Sequence, residues 1–392
     1  MNFHLLQAEV QQFIVENTNE DLVKLAFAKN PFPEIIWSEI INQISARSKA
    51  STKLPTWFET EGIYFPSKVS VEQTSSEKTA KYKADLVSGN AIADLTGGFG
   101  VDSYYFSKKV SKVFHCEQNA ELSEIADHNF KQLGAKNISC IAGDSIEFLE
   151  QNTNSLDWIY VDPSRRGESN NRVFLLSDCE PNVPKIIDKY LNYAERILLK
   201  VAPILDISAA IAELKFVKKV HVVALNNEVK ELLFEIEKGF LKGIEIKTVN
   251  LKGDLAETFN FHLGADAQAE LSLPLKYLYE PNAAIMKSGG FEEIGITYAM
   301  SKLHRHTHLY TSNNLELGFP GRIFEIQKQI SYAKSNMKAL QNTKANVTTR
   351  NFPDKVQDIR KKWKINDGGE LYIFFTTNKD EQKIVLICGK IK

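Results

Sequence analysis

Three glycines in four positions, Gly97, Gly98 and Gly100, separate an apolar run from an amphipathic one, and few folds accommodate such a turn. The full stretch reads Ile92-Ala93-Asp94-Leu95-Thr96-Gly97-Gly98-Phe99-Gly100-Val101-Asp102-Ser103. The apolar run, Ala91 to Ala93, ends on an acidic residue, and Val101, Tyr104, Tyr105 and Val110 recur behind the glycines at helical spacing. Strand, glycine-rich turn and helix is the layout in which a parallel sheet brings backbone N–H groups up to a bound nucleotide. A Cβ would block that approach, and the turn needs dihedrals that glycine adopts freely.

Acidic residues then recur at the same edge. Lys112 to Cys116 reads as a second strand with Glu117 at its end, about 20 residues past the glycines, where a carboxylate accepts hydrogen bonds from a ribose. A third strand, Ile138 to Ala142, leads into Gly143-Asp144-Ser145, and a fourth, Trp158 to Val161, leads into Asp162-Pro163-Ser164-Arg165-Arg166-Gly167. In open α/β sheets that edge is where ligands bind.

These motifs together resemble the class I S-adenosylmethionine-dependent methyltransferases. The family's acidic-x-Gly-x-Gly-x-Gly reads here Asp94-Leu95-Thr96-Gly97-Gly98-Phe99-Gly100, with Thr96 in place of the first glycine. The resemblance implies S-adenosyl-L-methionine as cofactor, held by Asp94, Thr96, Gly98 and Gly100, by Glu117 and Gln118 at the ribose, and by Asp144 and Ser145 at the adenine. It implies a catalytic segment Asp162-Pro163-Ser164-Arg165, where relatives carry Asp-Pro-Pro-Tyr or Asp-Pro-Pro-Arg. A nicotinamide dehydrogenase wants Gly or Ala three residues after Gly100, where Ser103 stands, and gives the Asp-Pro-Ser-Arg segment no role. The segment also resembles the Asp-Pro-Pro-Arg-x-Gly of enzymes that methylate carbon 5 of pyrimidines. Those need a cysteine after the fifth strand, where this chain reads Lys200-Val201-Ala202-Pro203, and Cys179 lies in the wrong loop. A base nitrogen is therefore the expected acceptor.

The fold expected is α/β, a doubly wound, mostly parallel, seven-stranded Rossmann-like sheet over residues 67–270, between an N-terminal helical domain (1–66) and a C-terminal α+β domain (271–392). Leu5, Val10, Phe13 and Ile14, then Ile35, Ile36, Ile40, Ile41 and Ile44, carry the helical spacing of the first. Thr74-Ser75-Ser76-Glu77 fits a capping box opening a helix from Lys78 to Val87, which reads equally as a capped surface helix or as one lying over the cofactor site with Gln73, Ser76 or Lys83 near the methionine end or the substrate. A fifth strand spans Arg196 to Ala202, and Val220 to Leu225, Leu232 to Ile236 and Ile244 to Leu251 supply the rest, with a terminal antiparallel hairpin.

The C-terminal part reads as strand (Ala345 to Thr349), helix (Asp354 to Trp363) and hairpin (Leu371 to Thr376, Lys383 to Cys388), a β-α-β-β run that suggests a ferredoxin-like unit. It resembles the THUMP-like domains appended to a bacterial family of class I methyltransferases, which implies RNA, tRNA or rRNA, as partner. Net charge is −1 overall, but residues 271–392 hold 19 Lys+Arg against 11 Asp+Glu. Such a balance favours an anionic partner. Arg350, Arg360, Lys361, Lys362 and Trp363 combine charge and an aromatic ring for phosphate contact and stacking, although a solvated helix face explains the three consecutive basic residues almost as well.

Four cysteines without a Cys-x-x-Cys pair, no leader-like start and no membrane-length apolar run fit a reduced cytoplasm. His304, His306 and His308 alternate as on one strand face, but no cysteine or carboxylate completes a ligand set, so no metal is expected. The reading is a methyltransferase acting on a base nitrogen of RNA. A small-molecule or protein methyltransferase, or a silent RNA-binding protein of the same fold, remains open.

Overall fold

The computed structural model describes residues 1–165 and 175–392, and of Arg165 the backbone alone. Arg166 and Gly167 of the fourth-strand motif lie outside the described residues. Strands β1 (Ala91–Asp94), β2 (Lys112–Glu117), β3 (Ile138–Ala142) and β4 (Leu156–Val161) are each followed by a helix or the motif loop. Past β4, the two-residue β5 (Ser164–Arg165) pairs antiparallel with β6 (Cys179–Glu180). The chain continues through β7 (Ala194–Val201), β8 (Val217–Leu225), β9 (Glu228–Glu237), β10 (Glu245–Lys252) and β11 (Leu255–His262).

Nine of these form one sheet in the order β11-β10-β8-β9-β7-β4-β1-β2-β3. The pairs β1–β2, β1–β4, β2–β3, β4–β7 and β8–β10 are parallel. Intervening helices at Val101–Phe106, Ala120–Gln132, Ser145–Gln151, Val183–Tyr190 and Ile207–Glu213 make the doubly wound pattern. Asn226 and Asn227 join β8 to β9 with φ of 50° and 65°, as a two-residue type I′ hairpin requires.

The sheet exceeds the expected seven strands by two. The apolar runs read from the sequence cover eight of the nine, β10 among them as the Ile244 to Leu251 run, parallel to β8; the strand not read is β11, antiparallel to β10. β11 is an edge strand with only Phe259 and Phe261 buried, so its sequence has too few apolar residues to mark it.

The chain divides into two compact units, Met1–Lys218 with Leu233–Lys242, and Lys219–Leu232 with Gly243–Lys392. In the first, the N-terminal helices pack on the helix behind the glycine turn. Trp57 is fully buried, its ring 4.9 Å from Tyr104 and 6.2 Å from Phe99. Tyr64 N–H donates to Asn129 Oδ1 at 2.9 Å.

The capping box at Thr74 is not formed. The helix is Glu77–Ala84, capped by Ser76, whose Oγ accepts from Thr79 N–H, and Thr74 instead ends the preceding helix, Lys68–Gln73. Three hydroxyl residues in a row each fit a cap locally. What selects Ser76 is Glu77, whose carboxylate is taken by Thr56 N–H (2.5 Å), Thr56 Oγ (3.0 Å) and Tyr105 OH (2.8 Å) rather than by its own helix end.

In the second unit, β12 (Tyr277–Pro281), β13 (Ser301–Lys302), β14 (Tyr310–Ser312), β15 (Gly321–Ser331), β16 (Lys344–Arg350), β17 (Asn366–Asp367), β18 (Leu371–Thr377) and β19 (Lys383–Lys390) form a further sheet. Its order is β13-β14-β12-β15-β19-β18-β16-β17. The expected β-α-β-β run is β16, the helix Val356–Trp363, β18 and β19. Tyr279 to Pro281 belong to β12, and the helix Ala283–Ser288 begins behind its cap Asn282. His304, His306 and His308 lie in a turn and not on a strand face: His304 bonds Glu381 and Asn351, and His308 stacks on Phe291 with ring centroids 3.6 Å apart. No described helix is long and apolar enough to cross a membrane.

Candidate active site

The first unit brings the four acidic strand ends to one edge: Asp94 closes β1, Glu117 closes β2, Asp144 follows β3 after Gly143, and Asp162 directly follows β4. The glycine turn is pinned against them. Gly97 N–H donates to Cys116 O at 2.8 Å, and a Cβ on Gly97 would sit 2.0 Å from the buried His115 ring. Gly98, at φ 55°, has open space where its Cβ would point, with only Thr96 O at 3.9 Å. Gly100, at φ 86°, caps the following helix, and a Cβ there would meet Phe130 at 2.4 Å. Two glycines thus serve packing, and Gly98 leaves the open cradle.

Glu117 Oε2 accepts Gly98 N–H and Oε1 accepts Asn119 N–H, both at 2.8 Å. Each carboxylate oxygen can take a second donor, so a ribose hydroxyl can still bond there. Gln118 beside it is exposed. Asp144 caps its helix, its Oδ1 accepting from Ile146 N–H (2.7 Å) and Glu147 N–H (3.1 Å), with Ser145 the first helical residue. The open cradle, the oriented carboxylate and this capped helix fit a nucleoside-bearing cofactor.

Asp94 is buried, its Oδ2 accepting from Ser103 Oγ (2.6 Å) and its Oδ1 from Thr96 N–H (3.1 Å). Burial raises its pKa to about 7; the Asp102 and Asp162 charges add to this, and the two hydrogen bonds oppose it. Thr96, where the family has glycine, has its own partner: its Oγ accepts Asp162 N–H at 2.7 Å, tying the glycine turn to the catalytic segment.

Two lysines complete the cluster, Lys200, which the sequence did not mark as a site residue, and Lys83, which it did. Lys200 Nζ lies 2.5 Å from Asp162 Oδ2 and fixes that carboxylate. Lys83 is fully buried; its Nζ lies 3.2 Å from Asp102 Oδ1 and donates to Ser75 Oγ. Asp102 Oδ2 also accepts from Ser75 Oγ (2.9 Å) and Tyr160 OH (2.8 Å). Burial pushes the Asp102 carboxyl up, but Lys83, Lys200 and these hydrogen bonds outweigh it and hold it below its ordinary value. Pro163 is buried, while Ser164 is exposed and pairs with Glu180 across β5 and β6. Cys116, Cys179 and Cys388 are buried and Cys140 is half-buried, its thiol pushed up by burial to about 12.

The second unit redistributes the expected RNA contacts. Trp363 belongs to the core beside Ile359 and Phe375 and cannot stack on a base. Arg360 is engaged by Asp367 (2.6 Å) and Ala345 O (3.1 Å). Lys361 and Lys362 remain exposed, and Arg350 turns to Glu280 at 2.7 Å.

Among known proteins, a structure from Porphyromonas gingivalis W83 with a provisional methyltransferase assignment superposes over 100% of both chains, with a TM-score of 0.91 and 31% identity. This chain belongs to that methyltransferase family. Residues 277–320 match the model of a ferredoxin-like domain and residues 321–390 that of a THUMP domain-like family. Uncharacterized RNA methyltransferases of Mycoplasma mobile and Clostridium acetobutylicum are each 32% identical, over 90 and 121 residues, or 23% and 29% of this chain. The chain spans about a quarter of the length of these curated relatives, 25% and 26%. The M. capricolum TrmK structure, solved with S-adenosylhomocysteine, aligns over 45% of this chain and 70% of its own at 16% identity, with a TM-score of 0.32.

Proposed function

We propose that this methyltransferase-family protein transfers a methyl group from S-adenosyl-L-methionine to a base nitrogen of RNA. The observation that carries the reading is the single edge where Glu117, the Gly98 cradle and Asp162 converge, with Thr96 linking the turn to the motif. The cofactor supplies an electrophilic methyl group on a sulfonium, so the protein's task is alignment. Alignment contributes about 7–11 kcal/mol in favourable models. Glu117 and Asp144 would hold the nucleoside end. Asp162, fixed by Lys200, would accept an N–H of the base and orient its lone pair, and would hold the proton released when nitrogen is methylated. No exposed thiol stands near the motif, among the described residues, to serve carbon methylation: Cys179 is buried, and the end of β7, the fifth strand of the doubly wound series, carries Lys200 and Val201 and no cysteine. Support for RNA comes from the THUMP-like match, the basic second unit and the RNA methyltransferase relatives.

The test is transfer of labelled methyl groups to RNA from a strain lacking the gene, followed by nucleoside analysis. Wild type and Cys179→Ser are expected to label a nitrogen-methylated nucleoside, and Asp162→Ala to label none while still binding S-adenosylhomocysteine. Label in 5-methylpyrimidine that vanishes with Cys179→Ser would overturn the nitrogen assignment, and label in protein or small molecules alone would overturn RNA.

A further inference from the structure

The second unit contains a cavity of about 380 Å³ whose lining includes Lys252, Arg322, Arg350, Lys390 and Lys392. Two carboxylates organise these cations. Glu280, with its side chain 3% exposed, accepts Arg322 Nε on Oε2 at 2.6 Å and Arg350 Nη2 on Oε1 at 2.7 Å. Glu257 takes Lys252 at 2.9 Å and Lys392 at 3.4 Å. Lys390 is exposed and has no ion-pair partner among the described residues. Five cations therefore face two carboxylates, an excess of three positive charges around one cavity.

That arrangement differs from a structural salt-bridge cluster, in which each cation meets its own counter-charge. Here each carboxylate orients two cations and neutralises one. The guanidinium of Arg350 has five donors, of which the protein takes Nη2 at Glu280 and Nη1 at Thr349 O (3.3 Å), while Nε is buried without an acceptor. β10, β15, β16 and β19 each deliver a cation to this place, against their mutual repulsion. Gly321 permits the approach on one side, since a Cβ there would lie 2.1 Å from Glu280 O. Planar guanidiniums held by a buried carboxylate present their remaining donors in the fork that matches a phosphate.

We infer that this cavity binds phosphate groups of the RNA strand on Arg322, Arg350 and Lys390, with Glu280 as the positioning residue. The inference rests on the RNA reading above and moves the phosphate site away from the helix Val356–Trp363. Phosphate contacts fix register without specifying sequence, so the site would position the strand and leave base choice to the Asp162 edge.

The experiment is fluorescence anisotropy of the full chain with a labelled single-stranded RNA, between about 50 and 200 mM salt, with melting temperature as a folding check. Arg322→Gln with Arg350→Gln is expected to weaken binding about tenfold and to flatten the salt slope by about 0.7 for each phosphate no longer neutralised. Lys390→Glu leaves both Glu280 bridges in place, so it gives an answer even if the double variant fails to fold, and it is expected to weaken binding about three- to tenfold. Arg360→Gln with Lys362→Gln should stay within about twofold of wild type, because those side chains touch no phosphate in this reading. Wild-type affinity and slope in folded cavity variants would overturn the site while leaving the RNA reading intact. A wild type that binds no RNA at any salt would overturn both. Inorganic phosphate serves as the competitor: if it stabilises wild type but not Lys390→Glu while RNA affinity ignores the same substitution, the cavity holds a free anion and the RNA assignment falls.

Discussion

At Thr96 a hydroxyl stands at the first glycine position of the motif that the sequence resembles, and it accepts the Asp162 amide across 66 positions of sequence. Thr96→Gly is expected to leave that amide without a partner, costing about 1–3 kcal/mol, and to lower methyl transfer more than S-adenosylhomocysteine binding; Thr96→Ser should restore both, as read by urea denaturation and transfer assays. Asp94 makes a pH-dependent contribution. Its pKa rises from an ordinary 3.8 to about 7 on folding, chiefly through burial, so the folded state holds the proton more tightly. The resulting stability is full below pH about 4 and is lost as pH rises through about 7. Asp94→Asn is expected to remove that slope from the urea midpoint measured between pH 4 and 8; an unchanged slope would assign it to another group. None of these pairings was legible in the sequence. Thr96 reads there as a departure from a motif, and Lys200 only as a missing cysteine, because their partners come from other strands.

The strand-turn-helix units were legible because their cues are local. Apolar runs of strand length ending on an acid, with helices between them, identify the parallel part of the sheet whatever the side chains later touch. β11 escaped because its exposed edge needs few apolar residues, and the Ser76 cap was displaced by two positions because Glu77 is drawn to Thr56 and Tyr105. The glycine turn also does more packing than its motif implies. Burial pushes the His115 imidazole down to about 4, so it is neutral at pH 7, and it fills the space beneath Gly97. Gly97→Ala is expected to cost about 1–3 kcal/mol by overpacking, with partial recovery when His115→Ala is added. Trp57→Ala should cost about 3–5 kcal/mol, since the ring fills the space between the N-terminal helices and the helix behind the turn. Urea denaturation of the purified variants measures both.

For the molecule as a whole, the excess positive charge of residues 271–392 is visible in the sequence, but its location is not. Arg322, Arg350 and Lys390 are scattered over three strands and meet Lys252 of β10, whereas the run Arg360-Lys361-Lys362 that draws attention sits on a helix that uses Arg360 for its own support. The division into units is also not a single cut. The chain leaves the first unit after Lys218, returns at Leu233 and leaves again after Lys242, so that β9 contributes residues to both. Limited trypsin digestion is therefore expected to release no stable fragment ending between Lys219 and Lys242, despite the lysines available there; a durable fragment with such an end would show that one unit stands without the other's strand.

The divided β9 has a consequence for synthesis. Domains of a nascent chain ordinarily close one after another as they emerge. Here the amino-terminal unit lacks its final segment until residues 233–242 have been made, and by then Lys219–Leu232 have already emerged ahead of β10, to which β8 pairs. Translation through this middle stretch leaves both halves of the protein unfinished at once, and it is there that a pause in elongation or a chaperone would have the greatest effect on yield.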